Sequence, residues 1–308
     1  MPRAEQATER AAQLMRLAAL PEHLRLGVTL PGMRELLSEL PPGAVVQANS
    51  KSPRETKSPA KSPAKSPARS PGGFTWKGKP KFPKNDAING YTNQYWFTKW
   101  AEEAKARQPD GDGLAVCERL RQQGSPHVGE DTHFVSWHLN TPIKSLLDAL
   151  ANFLKEKRLR EKDTYFWVSD YVIRQTDVNV DLARLGECVS TVGHTVLLME
   201  PWHAPAPLAC AYCIAEVYHT QLSGAQFDMA MTSAQQVKFE TALLTDFYSI
   251  QASLSKVDVR TATCRKEDDR KVILDELEQG VGLVECNTLV IGVLREALLA
   301  RVLAYHAL

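Results

Sequence analysis

From residue 132 the chain alternates short runs of β-branched and aromatic residues with longer stretches of helical period. THFVSWH (132–138) is rich in strand formers and predicts a first strand. Thr141 can cap a helix with Pro142 in its first turn. Ile143, Leu146, Leu147, Leu150 and Leu154 then line one helical face. TYFWVSD (164–170) predicts a second strand, a helix carrying Leu182, Leu185 and Val189 follows, and HTVLLME (194–200) predicts a third strand. Residues 207–222 predict a helix and FDMAM (227–231) a fourth strand. The period is then helical over 234–255, over 267–279 with Ile273, Leu274 and Leu277 apolar, and over 288–305 with Leu289, Val290, Val293, Leu294, Ala297 and Leu298 apolar. No good fifth strand is legible after residue 256. Strands that alternate with helices imply a parallel sheet covered on both faces.

Upstream the pattern changes. Residues 3–40 read as helical, with Pro31 in a first turn and Met33, Leu36, Leu37 and Leu40 following at helical spacing, until Pro41-Pro42-Gly43 stops the run. This piece fits a small helical hairpin docked on the main body, or a helix for a partner. NGYTNQYWFTKWAEEAKA (89–106) packs five aromatics into three helical turns, and 113–123 gives another short helix. The organisation expected is a helical segment over 1–44, a linker over 45–85 and an α/β domain with C-terminal helices over 86–308.

Charge changes the picture only in the linker. The net charge of +1 divides into +9 between Lys51 and Lys84 and −8 elsewhere. Residues 50–73 repeat a Lys-Ser-Pro-Ala unit that cannot bury an apolar face, so they read as disordered. Ser52, Ser58, Ser62, Ser66 and Ser70 each precede a proline and resemble sites for a proline-directed kinase. Each phosphate would add about −1.5 to −2, reversing the local charge. The linker is thus a switch or an unmodified spacer. WKGKPKFPK (76–84) continues the basic run; a solvated linker or a nuclear-import signal fits it better than nucleic-acid binding.

No apolar run reaches the roughly 20 residues of a membrane span, and the N-terminus lacks the apolar core of a signal peptide. The six cysteines (117, 188, 210, 213, 264 and 286) are scattered and read as reduced thiols of the cytosol or nucleus. No GxxxxGK[ST] or GxGxxG loop is present.

Ligands of open parallel sheets bind beyond the carboxyl ends of the strands. There the chain places Ser136, Trp137 and His138, with Asn140 just beyond, then Ser169 and Asp170, then Glu200, Trp202 and His203. One further residue stands out. Glu216 is the only Asp, Glu, Lys or Arg between Pro201 and Phe227, and no Lys or Arg occurs between Arg184 and Lys238. A buried carboxyl must be paired, protonated or wet. Any cationic partner of Glu216 must therefore come from a distant segment, as in a seam residue paired to Arg260, Arg265 or Arg270. Cys210 and Cys213, flanked by His203 and His219, admit a zinc reading, but two cysteines on an apolar helix are more often core thiols; no metal is expected.

THFVSW, YFWVSDYVIRQ, TVLLMEPW and AYCIAEVYH, in that order, resemble the core of Toll/interleukin-1-receptor-like (TIR-like) domains. They are most similar to a protist and algal branch that carries FVSHAW, YFWxDxFxxNQ and RAWCxxE, and the EDDRKVILDELEQG tail is also similar. The resemblance covers roughly residues 88–305. It implies a flavodoxin-like α/β fold with a parallel sheet of about four to five strands and a helical C-terminal extension. It also implies self-association, contacts with other signalling proteins and, in some members, cleavage of the nicotinamide–ribose bond of NAD. In those members a Glu in a W-C-x-x-E pattern is catalytic; Tyr212-Cys213-Ile214-Ala215-Glu216 matches it with Tyr for Trp. The resemblance makes Ser136, Trp137 and Asp170, with Trp202 on the same rim, candidates for contacts to ribose and base. NAD would be a substrate, and no cofactor is expected. The chain departs from the branch at His138, at Ala209 and Cys210 where an arginine is expected, and at Arg174. The alternative is a non-enzymatic cytoplasmic or nuclear adaptor.

Overall fold

The aromatic and β-branched runs do form strands, and they lie side by side in one sheet of six. The computed structural model describes residues 20–38, 114–139, 141–174, 178–254, 257–264 and 266–306. Residues 3–19 of the N-terminal helical reading, the Ser-Pro linker, the basic run 76–84, the aromatic helix 89–106, Asn140 and Arg265 lie outside them. The strands are β1 (Leu26–Thr29), β2 (Val128–Glu130), β3 (His133–Ser136), β4 (Tyr165–Trp167), β5 (His194–Leu198) and β6 (Gln226–Ala230). Their order is β2-β1-β4-β3-β5-β6. β3 is parallel to β4 and β5, and β5 to β6, whereas β1 is antiparallel to both its neighbours.

The four parallel strands were legible in the sequence; numbered among themselves they run 2-1-3-4, the flavodoxin-like order. The two antiparallel strands were not expected. Residues 26–29 correct the helical reading of the N-terminal segment: they are a fully buried strand that completes the sheet of the main body. A Cβ on Gly27 would stand 2.8 Å from the Tyr165 carbonyl carbon, so only glycine lets β1 approach β4 this closely.

The helices are α1 (Leu30–Ser38), α2 (Val116–Gln122), α3 (Ile143–Glu156), α4 (Ser169–Val172), α5 (Val178–Leu182), α6 (Leu185–Val192), α7 (Ala211–Ser223), α8 (Ser233–Thr245), α9 (Phe247–Leu254), α10 (Glu267–Gly280) and α11 (Leu283–His306). The predicted stripe of α3 is buried throughout, joined by Ala149 and Phe153. The single helix expected over 234–255 is two, divided at Asp246, whose carboxylate and carbonyl accept from Ser249.

Alternating side chains of β5 serve two apolar clusters. Val196 and Leu198 join the one built on β3, β4 and α3, while Leu197 joins the one formed by α7 to α11. Side chains on both faces of the sheet are thus buried. At the β6 edge, Arg301 of α11 donates to the Met229 carbonyl at 2.9 Å, so that edge position is occupied by a side chain. Among the described residues no helix is long and apolar enough to cross a membrane.

Candidate functional site

α7 is placed by its entry. A 3-10 turn over Ala206–Ala209 delivers Cys210 as the N-cap residue in extended conformation. A parallel bridge to Thr263 pins that point, with the Ala211 amide donating to the Thr263 carbonyl at 3.0 Å and the Thr263 amide to the Ala209 carbonyl at 2.8 Å. Gly224, in the left-handed region at φ 67°, ends the helix. Between those points α7 is buried nearly all round, as expected of a helix without a polar face.

Three of its polar groups, on Cys213, Glu216 and Thr220, face the sheet. Glu216 is 8% exposed, and its Oε2 accepts from Ser136 Oγ at 2.5 Å. Ser136 ends β3, is fully buried and lies opposite Leu197 of β5. The boundary between β3 and β5 is where the strand order reverses, and the carboxyl lies beside it at the carboxyl end of β3. Burial pushes the Glu216 pKa up to about 8, the Ser136 hydrogen bond pulls against it, and Cys210 adds to the rise. The group is thus a neutral acid at pH 7.

No cation pairs with it among the described residues, which overturns the seam reading for two of the three arginines named for it. Arg260 pairs with Asp258 at 2.8 Å. Arg270 pairs with Glu267 at 2.9 Å and donates to the carbonyls of Ala262 and Arg260.

The acid belongs to a polar seam. Cys213, three residues earlier, donates its thiol to the Trp137 carbonyl at 3.5 Å. Thr220 Oγ1, four residues later, lies 2.7 Å from the Glu216 carbonyl oxygen and 2.8 Å from Thr195 Oγ1 of β5. Thr195 and Thr220 were not anticipated. The available signal was Cys213, Glu216 and Thr220 recurring at helical spacing within an otherwise apolar helix.

The other predicted residues divide. Trp137 is buried beside Ser136, and its indole N–H has no hydrogen-bond partner among the described residues. Asp170 is buried in the first turn of α4, beyond β4 and so one strand further along the rim. Trp202 is drawn to α8 instead: its ring meets Phe239 edge-on at 5.7 Å and its amide donates to Gln235 Oε1 at 3.4 Å. Glu200 likewise turns to the start of α8, accepting from Thr232 Oγ1 at 3.2 Å. Tyr212, the residue in place of Trp, hydrogen-bonds Asp269, and burial raises its phenol pKa. His219 pairs with Glu276 at 3.1 Å. Among the described residues no group of three His, Cys, Asp or Glu could hold a metal ion.

Comparison with family models, curated proteins and solved structures finds no match to this chain. The site is therefore read from its own chemistry. That chemistry is a buried, proton-bearing carboxyl, a serine hydroxyl in contact with it, and, on the residue after that serine, an indole donor with no partner among the described residues.

Proposed function

We propose that the protein is a TIR-like glycohydrolase that cleaves the nicotinamide–ribose bond of NAD, with Glu216 as the catalytic carboxylate. The observation that carries this reading is that Glu216, at the reversal point of the sheet, meets a serine hydroxyl and, among the described residues, no cation. The nicotinamide ring of NAD is itself a cation. Brought near Glu216 in a poorly solvated site, it favours the ionised carboxylate and drives the proton to solvent. As the C1′–N bond breaks, its electron pair leaves with the nicotinamide nitrogen and the ribose becomes oxocarbenium-like, which the carboxylate stabilises. Water then adds at C1′, and the products are nicotinamide, ADP-ribose and a proton. Ser136 keeps the carboxylate oriented, Trp137 offers its indole N–H to the base or amide, and Asp170 serves the ribose hydroxyls.

The test is NAD consumption by the full chain at high protein concentration, followed as released nicotinamide. Wild type turns over, Glu216→Gln loses about 100-fold or more, and wild-type kcat/KM rises with pH toward 8 as free Glu216 ionises. Equal inertness of wild type and variant would overturn the reading.

A second reading, a non-enzymatic adaptor, is favoured by a specific feature. The α8–α9 shoulder exposes Val237, Leu244, Phe247 and Tyr248, the last at 78%, and exposed apolar residues gathered on one shoulder suit protein contacts. In that reading Glu216 is a structural acid, and inert wild type is the outcome it expects.

A further inference from the structure

We infer that Cys210 and Cys213 form a redox-active dithiol that closes to a disulfide by exchange with a low-molecular-weight disulfide, Cys210 attacking and Cys213 resolving. The inference stands whether or not Glu216 is catalytic. Both thiols are free. Cys210 is the N-cap of α7 and Cys213 lies one turn in, the Cys-x-x-Cys arrangement that activates a thiol at a helix start. The two side chains lie near enough to influence each other's ionisation, with the Cys213 thiol now resting on the Trp137 carbonyl at 3.5 Å. Cys210 is half-buried and Cys213 fully covered, so only the first is open to a reagent.

The electrostatics agree with that division. Interaction with the Cys213 side chain lowers the Cys210 pKa against the opposing effect of burial, and the amides of Cys213 and Tyr212 add to the lowering. The same interaction, together with burial, raises Cys213. The other titratable groups around the pair are Glu216, Tyr212, Asp269 and Cys264. Cys264 follows the bridged Thr263, but burial raises its pKa to about 11, which makes it a poor competitor.

The steps balance. The Cys210 thiolate attacks one sulfur of RSSR, forming a mixed disulfide and releasing RS−, which takes up a proton. Cys213 gives up its proton and attacks the Cys210 sulfur, and the second RSH leaves. Two electrons pass from the protein to the small disulfide, giving one protein disulfide and two RSH. Closure turns the Cys213 sulfur from the Trp137 carbonyl toward Cys210, one turn from Glu216.

The experiment treats the reduced full chain with oxidised glutathione, quenches with acid, and reads intact mass and thiol positions. Wild type loses two titratable thiols, both located at Cys210 and Cys213, without retaining glutathione. Cys213→Ser traps glutathione on Cys210, Cys210→Ser takes up none at Cys213, and Cys264→Ser closes like wild type. In the reduced protein Cys210 alkylates about tenfold faster than Cys264 at pH 7. A Cys210–Cys264 bridge, glutathione retained by wild type, or alkylation of Cys210 no faster than of Cys264 would each overturn the inference. The wild-type mass and alkylation rates decide the matter even where a variant does not fold.

Discussion

Two carboxyls in the same sheet meet opposite fates. Asp228 lies on the α3 face, where its carboxylate accepts from His194 Nε2 at 2.9 Å and from Lys157 Nζ at 2.5 Å. Burial works against its charge, but the His194 and Lys157 hydrogen bonds win and hold its pKa below the usual carboxylate value. Glu216 lies on the α7 face at the carboxyl end of β3, is offered one serine hydroxyl and no cation among the described residues, and keeps its proton to about pH 8. The two differ in partner chemistry and access to water, not in residue class. The α3 face, where His194 opens β5, is tied down by ions; the carboxyl ends hold an acid whose charge no described residue compensates. An uncompensated acid is destabilising at neutral pH, and a site for a cationic ligand is one setting in which that cost has a use.

The largest expected effect follows from the Glu216 proton. In the unfolded chain this carboxyl ionises near its ordinary value, so above that pH the folded state holds a proton that the unfolded state has released. Stability contributed by the protonated form is therefore full below about pH 4.5 and is lost as pH rises toward about 8. The loss is on the order of 3 kcal/mol after discounting for relaxation of the site. Asp131, raised to about 7 by burial and then by Glu130, with Arg25 opposing, acts in the same direction. His133, lowered to about 4 by burial and next by His194, acts oppositely at acid pH, where its stability is lost as pH falls below the unfolded value. Urea unfolding between pH 5 and 8 should show wild type losing stability steeply and Glu216→Gln losing much less. Equal slopes would mean that Glu216 is ionised in the folded protein and that the two faces do not differ as described.

A smaller effect sharpens the same contrast. Ser136→Ala removes the one side-chain hydrogen bond that holds the Glu216 carboxyl among the described residues and leaves a buried acid without that partner. The cost should be about 1–3 kcal/mol at pH 6 by urea unfolding. Because the two residues touch, combining Ser136→Ala with Glu216→Gln should cost less than the sum of the separate changes, and additive effects would show that the contact contributes nothing.

How much of this was legible depends on the length and company of each element. β3 to β6 each sit in aromatic or β-branched runs with clear helical stretches between them, so period alone separated strand from helix. β1 is four residues, LGVT, surrounded by a Leu- and Ala-rich helical pattern, and only its antiparallel pairing to β2 and β4, a hundred residues or more away, makes it a strand. β2 is three residues with a central glycine, and a Cβ there would meet the Tyr165 ring at 2.8 Å. At the site, Glu216 was conspicuous because its neighbours in sequence carry no charge. Its contact with Ser136 depended on helix phase, which the sequence leaves open and the Thr263 bridge to Cys210 sets. Trp202 was misplaced for a related reason. The turn after β5 follows the start of α8, where Gln235 and Phe239 take up its amide and ring.

The smallest effect tests the other face. Asp228→Asn keeps the shape of the side chain but withdraws the negative charge from His194 and Lys157. Lys157 is 43% exposed at its side chain and Asp228 25%, so water screens the pair and the loss should be only about 1 kcal/mol near pH 7. The sign with pH is the reverse of that for Glu216. Asp228 is lowered on folding, so its contribution is present above the unfolded carboxylate value and disappears as pH falls through the folded one. The deficit of Asp228→Asn should therefore be constant from pH 6 to 8, vanish toward pH 3 and shrink as salt is raised. The effect of Glu216→Gln, made inside a covered seam, should grow with pH over the same range and be nearly indifferent to salt. If the two variants respond alike to pH and salt, then partner chemistry does not distinguish the faces, and Glu216 loses the feature that marks it as a site.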